Sequence, residues 1–128
     1  MYEKGYHILL ELYGVNSEIL NDVNSIKKLF YDVEKASGLK IVENSFFVHK
    51  FMPVGLTAIV LLRTSHISIH TWPQLNFASL DIFACDSKEK AVKTAEFFVT
   101  KLKPKRIKKK IIRRGYIVNT AQKKKRCL

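Results

Sequence analysis

The sequence predicts an α+β fold: a two-layer sandwich in which a mainly antiparallel sheet carries two helices on one face. Three observations lead there. Six segments of strand length are apolar or alternate apolar with polar residues. Several neighbouring strands are joined by short turns, which favours antiparallel pairing over crossover connections. Two longer segments repeat apolar residues at helical spacing, each with a single apolar stripe, and such a stripe covers one sheet face. The chain has 128 residues, enough for one domain with a real core, and contains no internal repeat.

The elements follow in order. Tyr6 to Tyr13 reads as a first strand, ended by Gly14. Asn16 or Ser17 can cap a helix with Glu18 in its first turn. Its apolar positions are Ile19, Leu20, Val23, Ile26, Leu29, Phe30 and Val33, so one helix is expected to about Ser37, with Gly38 as its C-cap. Leu39 to Phe51 reads as a strand, and Pro53 and Gly55 break it from Leu56 to Leu62. From Ser65 to Trp72 the pattern alternates: Ile67, Ile69 and Thr71 point one way, His66, Ser68, His70 and Trp72 the other. Pro73, Gln74 and Asn76 make a turn before the strand Phe77 to Cys85. Asp86 or Ser87 caps a second helix with Ala91, Val92, Ala95, Phe98, Val99 and Leu102 as its stripe. Pro104 ends it, and Arg106 to Val118 is a last, very basic strand. The domain is expected to span residues 1–118, followed by a basic tail at 119–128.

Net charge is +12, unevenly placed. Residues 1–100 hold 10 Lys and Arg against 11 Asp and Glu, whereas residues 101–128 hold 13 Lys and Arg and no acid. The plain account is a solvated edge strand and tail; the sharper one is an anion or nucleic-acid patch. No RNA-binding or helix-turn-helix signature accompanies the charge, so nucleic acid is not the expected partner, although the tail leaves it open. No apolar run reaches membrane-spanning length and no signal peptide is recognisable, so a cytoplasmic protein is expected. Two cysteines, Cys85 and Cys127, are too few for a disulfide scaffold, and without ligand spacing no metal is expected.

One segment is unusual for a strand. Thr64 to Pro73 packs two histidines, two serines and a Trp-Pro end into ten residues. Singly, Ser65 reads as a turn hydroxyl, His70 as a core histidine and Cys85 as a small buried residue. Together they resemble the prokaryotic S-adenosylmethionine decarboxylase family. Ser65-His-Ile-Ser-Ile-His-Thr-Trp-Pro73 matches its central motif, and Phe77-Ala-Ser-Leu-Asp-Ile-Phe-Ala-Cys85 its following strand. The serine lies five residues before the second histidine and twenty before the cysteine, as in that family. Gly5 to Tyr13 and Phe46 to Gly55 resemble its flanking segments.

The resemblance implies a chain that cleaves itself between Thr64 and Ser65 and turns Ser65 into a pyruvoyl cofactor. That group then forms a Schiff base with the substrate amine and serves as an electron sink. By resemblance, His70 takes a proton from Ser65 during processing, Thr57 supports the scissile carbonyl and Cys85 returns a proton after decarboxylation. Phe51 and Trp72 are candidates for binding the adenosyl and sulfonium groups, with Glu11 as a further candidate. The implied product is the aminopropyl donor for spermidine and other polyamines, made by a homodimer with sites at the protomer interface. The sequence departs from the family at Thr64, where Glu is usual, and at Gln74, Phe77, Ala84 and Asp86. Two alternatives stay open: arginine or ornithine as substrate on the same scaffold, or, in another class, an inactive paralogue or basic nucleic-acid-binding module. Because Ser65 and His70 differ by an odd number, alternation puts them on opposite faces. A bend or bulge at Arg63 to Ser65 is therefore expected, to let His70 reach the serine.

Overall fold

Alternation along the strands decides which side of the sheet is buried. The structure is a computed structural model and describes residues 5–85 and 87–115. Strands β1 (Gly5–Tyr13), β2 (Phe47–Lys50), β3 (Leu56–Leu61), β4 (His66–Trp72), β5 (Phe77–Ala84) and β6 (Arg106–Arg114) form one sheet in the order β2-β3-β4-β5-β1-β6. Every pairing is antiparallel. On one face Ile8, Leu10, Leu12, Ile67, Ile69 and Ile82 are fully buried. Helices α1 (Ser17–Leu20), α2 (Val23–Ser37) and α3 (Lys88–Leu102) cover that face and leave the other open. Phe30 of α2 meets Phe46 and Phe98 edge-on, each at 5.7 Å, and joins the two long helices over the core. Among the described residues no helix is long and apolar enough to cross a membrane.

The expected fold class is present, with six strands, but some boundaries differ. The single helix expected from residue 16 to 37 is two. Asn16 caps α1 by accepting from the Glu18 N–H, and the Asp22 carboxylate restarts the helix by accepting from Asn24 N–H and the Ser25 hydroxyl. Between them the Asn21 side chain accepts from the Gly55 N–H at 2.9 Å and from the Lys50 ammonium. The break thus frees an amide to hold the 51–55 loop. Gly38 is the αL cap expected, at φ 83°.

The strand expected from Leu39 to Phe51 is reduced to the four residues of β2. Ser45 explains the loss: its hydroxyl donates to the Val42 carbonyl at 2.6 Å and accepts from Leu61 N–H at 3.0 Å, replacing ladder bonds with side-chain bonds. Asn44 turns the chain there at φ 59°. Ser87 caps α3, accepting from Lys90 N–H; Asp86 and the stretch of the last expected strand beyond residue 115 lie outside the described residues, as does the tail at 119–128.

Candidate active site

The open face carries the polar half of each strand's alternation, and the register sets these side chains in rows. One row crosses all six strands: His49, Thr57, His70, Ser79, Glu11 and Lys108. The next holds Phe47, Ile59, Ser68, Asp81, Leu9 and Lys110. A third, nearer the β3–β4 turn, holds Leu61, His66, Phe83, His7 and Ile112.

Five of the sequence-predicted residues gather on the first row and beyond it. His70 Nδ1 and Thr57 Oγ1 share a hydrogen bond of 3.0 Å. Ser79 donates to Glu11 at 2.8 Å, which holds the carboxylate level with His70 two strands away. Trp72 ends β4 and packs on Phe77 at 5.3 Å, which in turn packs on Tyr13 at 5.0 Å. Phe51 follows β2 and meets His49 edge-on at 4.7 Å. Phe51 N–H donates to the Gly55 carbonyl, and continuing the register sets Phe51, Gly55 and Trp72 in line. The two aromatic residues thus stand two strand spacings apart, about 10 Å, with a glycine between them. Gly55 has φ +105°, and a Cβ there would come within 3.1 Å of the Thr71 carbonyl oxygen.

Ser65 lies elsewhere. It closes the β3–β4 turn, donating its N–H to the Leu62 carbonyl at 3.3 Å and accepting from Leu62 N–H at 2.9 Å. Arg63 and Thr64 form the bend, so β4 starts at His66 and not at Ser65. The bend exists, but it does not bring Ser65 to His70. Five residues of extended strand separate them, about 16 Å at 3.3 Å per residue. The expectation that one chain joins them is corrected: β4 is straight from His66 to Trp72, with regular pairing on both sides. The Ser65 hydroxyl is buried with no hydrogen-bond partner among the described residues.

Cys85 follows the last residue of β5. The register pairing His66 with Phe83 puts it level with Thr64, at the Ser65 end of the sheet. It is 1% exposed, and a Cβ on Gly5 would meet its Sγ at 3.1 Å. The other cysteine of the sequence, Cys127, lies outside the described residues.

Sequence reasoning missed a second polar chain on this face. Arg114 contacts His7 Nδ1 at 3.2 Å, His7 Nε2 contacts Asp81 at 3.2 Å, and Ser68 donates to Asp81 at 3.3 Å. The imidazole of His7 thus links a cation to an anion across the face. The signal was present as Ser79 and Asp81 alternating with buried Ala78, Leu80 and Ile82. His66 packs on Phe83 at 5.8 Å. Burial pushes its pKa below the ordinary histidine value, repulsion from His7 and Arg114 adds to that, and Asp81 partly offsets it. No cluster of three or more His, Cys, Asp or Glu able to hold a metal ion occurs among the described residues.

This arrangement has counterparts. The family model for S-adenosylmethionine decarboxylase matches residues 6–115. The chain is 43% identical over 113 residues to the S-adenosylmethionine decarboxylase proenzyme of Sulfurihydrogenibium sp. (strain YO3AOP1), covering 88% of this chain and 84% of that one. It is 39% identical over 117 residues to the proenzyme of the same name from Methanococcus maripaludis (strain DSM 14266), covering 91% and 94%. The crystal structure of the adenosylmethionine decarboxylase from Aquifex aeolicus VF5 superposes with a TM-score of 0.84 at 37% identity, covering 92% of this chain and 96% of that one. The chain belongs to the S-adenosylmethionine decarboxylase family.

Proposed function

We propose that this chain is made as a proenzyme, cleaves itself between Thr64 and Ser65, and decarboxylates S-adenosylmethionine as a homodimer whose sites each draw on both protomers. The observation that carries the reading is the division of these residues between the two ends of the sheet. Thr64, Ser65 and Cys85 lie at one end; Thr57, His70, Glu11, Phe51 and Trp72 lie toward the other. A two-fold axis between two such faces lays one end of a sheet over the opposite end of its partner, uniting the halves twice. Phe47, Phe51, Ile59, Leu61 and Trp72 are exposed on this face, a larger apolar surface than a solvated sheet needs.

Processing uses groups the chain already holds. Ser65 Oγ adds to the Thr64 carbonyl carbon, the C–N bond breaks, and an ester replaces the amide. The partner's His70 takes the Ser65 α-proton, and the Thr64 carboxylate leaves from the β-carbon. Water then enters and ammonia departs, leaving a pyruvoyl group at the head of the C-terminal chain. Ser65 suits this: its hydroxyl is buried without a partner, a state costing about 1–3 kcal/mol that attack relieves. The Thr57 hydroxyl holds the imidazole and fixes its orientation. When formed, the pyruvoyl carbonyl supplies the electron sink for the pair left as carbon dioxide departs. Cys85, beside that terminus, returns a proton when it carries a thiol. The gap over Gly55 between Phe51 and Trp72 suits a flat purine ring, which favours the adenosyl substrate over arginine or ornithine. The product is the aminopropyl donor for polyamine synthesis.

Complementation tests the reading. Ser65→Ala and His70→Ala chains, each expressed alone, are expected to stay at full length by intact mass. Coexpressed, the His70→Ala chain is expected to split into fragments 1–64 and 65–128, because the Ser65→Ala partner supplies His70. A His70→Ala chain that splits no more in the mixture than alone would sink the two-protomer site. Carbon dioxide release from arginine or ornithine in place of S-adenosylmethionine would overturn the substrate assignment.

A further inference from the structure

The rim opposite β2 has a charge that the decarboxylase reading does not use. From Lys101 to Arg114 there are nine Lys and Arg and no acid. β6 is the outer strand of the sheet, exposed along almost its whole length on both sides. On its helix side Lys109 pairs with buried Leu10 and Arg113 with Tyr6, alternating with Ile107 and Ile111. The end of α3 continues this line with Lys101, Lys103 and Lys105, which border a cleft of about 610 Å³ together with Asn16 and Asn76.

The cleft is built, not incidental. Lys103 caps α3 in the left-handed region at φ 48°, where glycine is the usual occupant. Lys105 donates its N–H to the Tyr13 carbonyl and lies so close to Gly14 that a Cβ there would be 2.8 Å from its own. None of Lys103, Lys105, Lys108, Lys109 and Lys110 makes an ion pair among the described residues. Lysines on an edge strand also discourage strand pairing. That accounts for Lys108 and Lys110, but not for three lysines set around a cleft off the strand.

We propose that this rim binds double-stranded nucleic acid through its phosphates. β6 is about 30 Å long at 3.3 Å per residue, close to one turn of duplex at about 34–36 Å. Its cations are spaced along that length, as a phosphate backbone requires. Among the described residues the rim offers no free ring for base stacking: Arg106 covers Tyr13 at 4.4 Å and Lys101 lies over Phe97 at 5.9 Å. Unpaired bases therefore gain little here, which favours a duplex over a single strand. Binding is indifferent to sequence, because nothing on the rim is shaped to read base edges.

Fluorescence anisotropy of the full chain with a labelled duplex of about 20 base pairs, across a salt series, tests this. If five rim cations engage, log K against log salt slopes at about −4.5 from them alone. The triple variant Lys101→Gln, Lys103→Gln, Lys105→Gln is expected to bind about tenfold weaker or worse near 0.1 M salt, with a slope shallower by about 2 to 3. The same variant is expected to keep its fraction of self-cleaved chain, which reports its folding. Neutralising Lys123, Lys124, Lys125 and Arg126 instead is expected to cost less. Three outcomes overturn the proposal: unchanged affinity and slope in the rim variant, tighter binding of a single strand of equal length, or loss of binding only on neutralising the tail. Binding to phosphatidylserine vesicles without binding to duplex overturns it also.

Discussion

Single side chains decide the chemistry, and two of them carry conditions that can be measured. In the proposed mechanism Cys85 donates a proton only as a thiol. Turnover of processed enzyme is therefore expected to fall by an order of magnitude or more in Cys85→Ser, while the fraction cleaved at Thr64-Ser65 stays the same. Equal turnover in Cys85→Ser and the unaltered chain would remove Cys85 from the donor role. His66 sets a pH limit of another kind. Its folded pKa lies below the unfolded value of about 6.5. Between the two values the unfolded chain binds more protons, so stability rises with pH across that window and falls as pH drops through it. Urea midpoints from pH 5 to 7.5 are expected to show this slope, and His66→Gln to flatten it. A slope unaltered by the substitution would assign it to another group.

At the scale of elements, polar side chains interrupt what hydrophobic spacing would continue. Ile19, Leu20, Val23 and Ile26 fit one helix by spacing alone, which is why one helix was expected. Asn16 and Asp22 each offer a cap, and the cap at Asp22 won because Asn21 has long-range partners in Gly55 and Lys50. Asn21→Ala is expected to loosen the loop that presents Phe51. We expect KM for S-adenosylmethionine to rise several-fold with little change in kcat, and the denaturation midpoint to fall by about 1 kcal/mol equivalent. A fall in kcat at unchanged KM would mean that the amide acts on chemistry and not on the aromatic gap. Ser45 acts in the same way on the strand before β2. Its hydroxyl bonds to Val42 and Leu61, a pairing sixteen residues distant that a local pattern does not contain. The alternation of β4 and β5 was legible throughout, because one face of each is buried and a one-residue slip would expose it.

For the whole molecule the central question is what covers the open face. Phe47 is 65% exposed and Leu61 46%, beside Ile59 and Trp72. In the proposed dimer a second copy laid face to face would bury this surface and would supply each Ser65 with a histidine. Ile59→Lys, in the middle of the face and outside the reacting groups, is expected to yield a folded chain that sediments as a monomer and stays at full length. A monomer that cleaves normally would show that processing needs only one chain. The basic rim at β6 lies at the sheet's other edge from β2.

The sequence by itself determined the fold class and the two faces of β4, and its resemblance to the S-adenosylmethionine decarboxylase family singled out Ser65, His70 and Cys85 as candidates. The fold class and the faces rest on local periodicity, which a linear chain contains. Only the tertiary structure decided that Ser65 and Cys85 share one end of the sheet while His70, Thr57 and the aromatic pair lie toward the other. A straight strand of fixed rise per residue holds Ser65 and His70 apart. In the proposed dimer a second surface would join them, and a single sequence does not display the symmetry of an assembly.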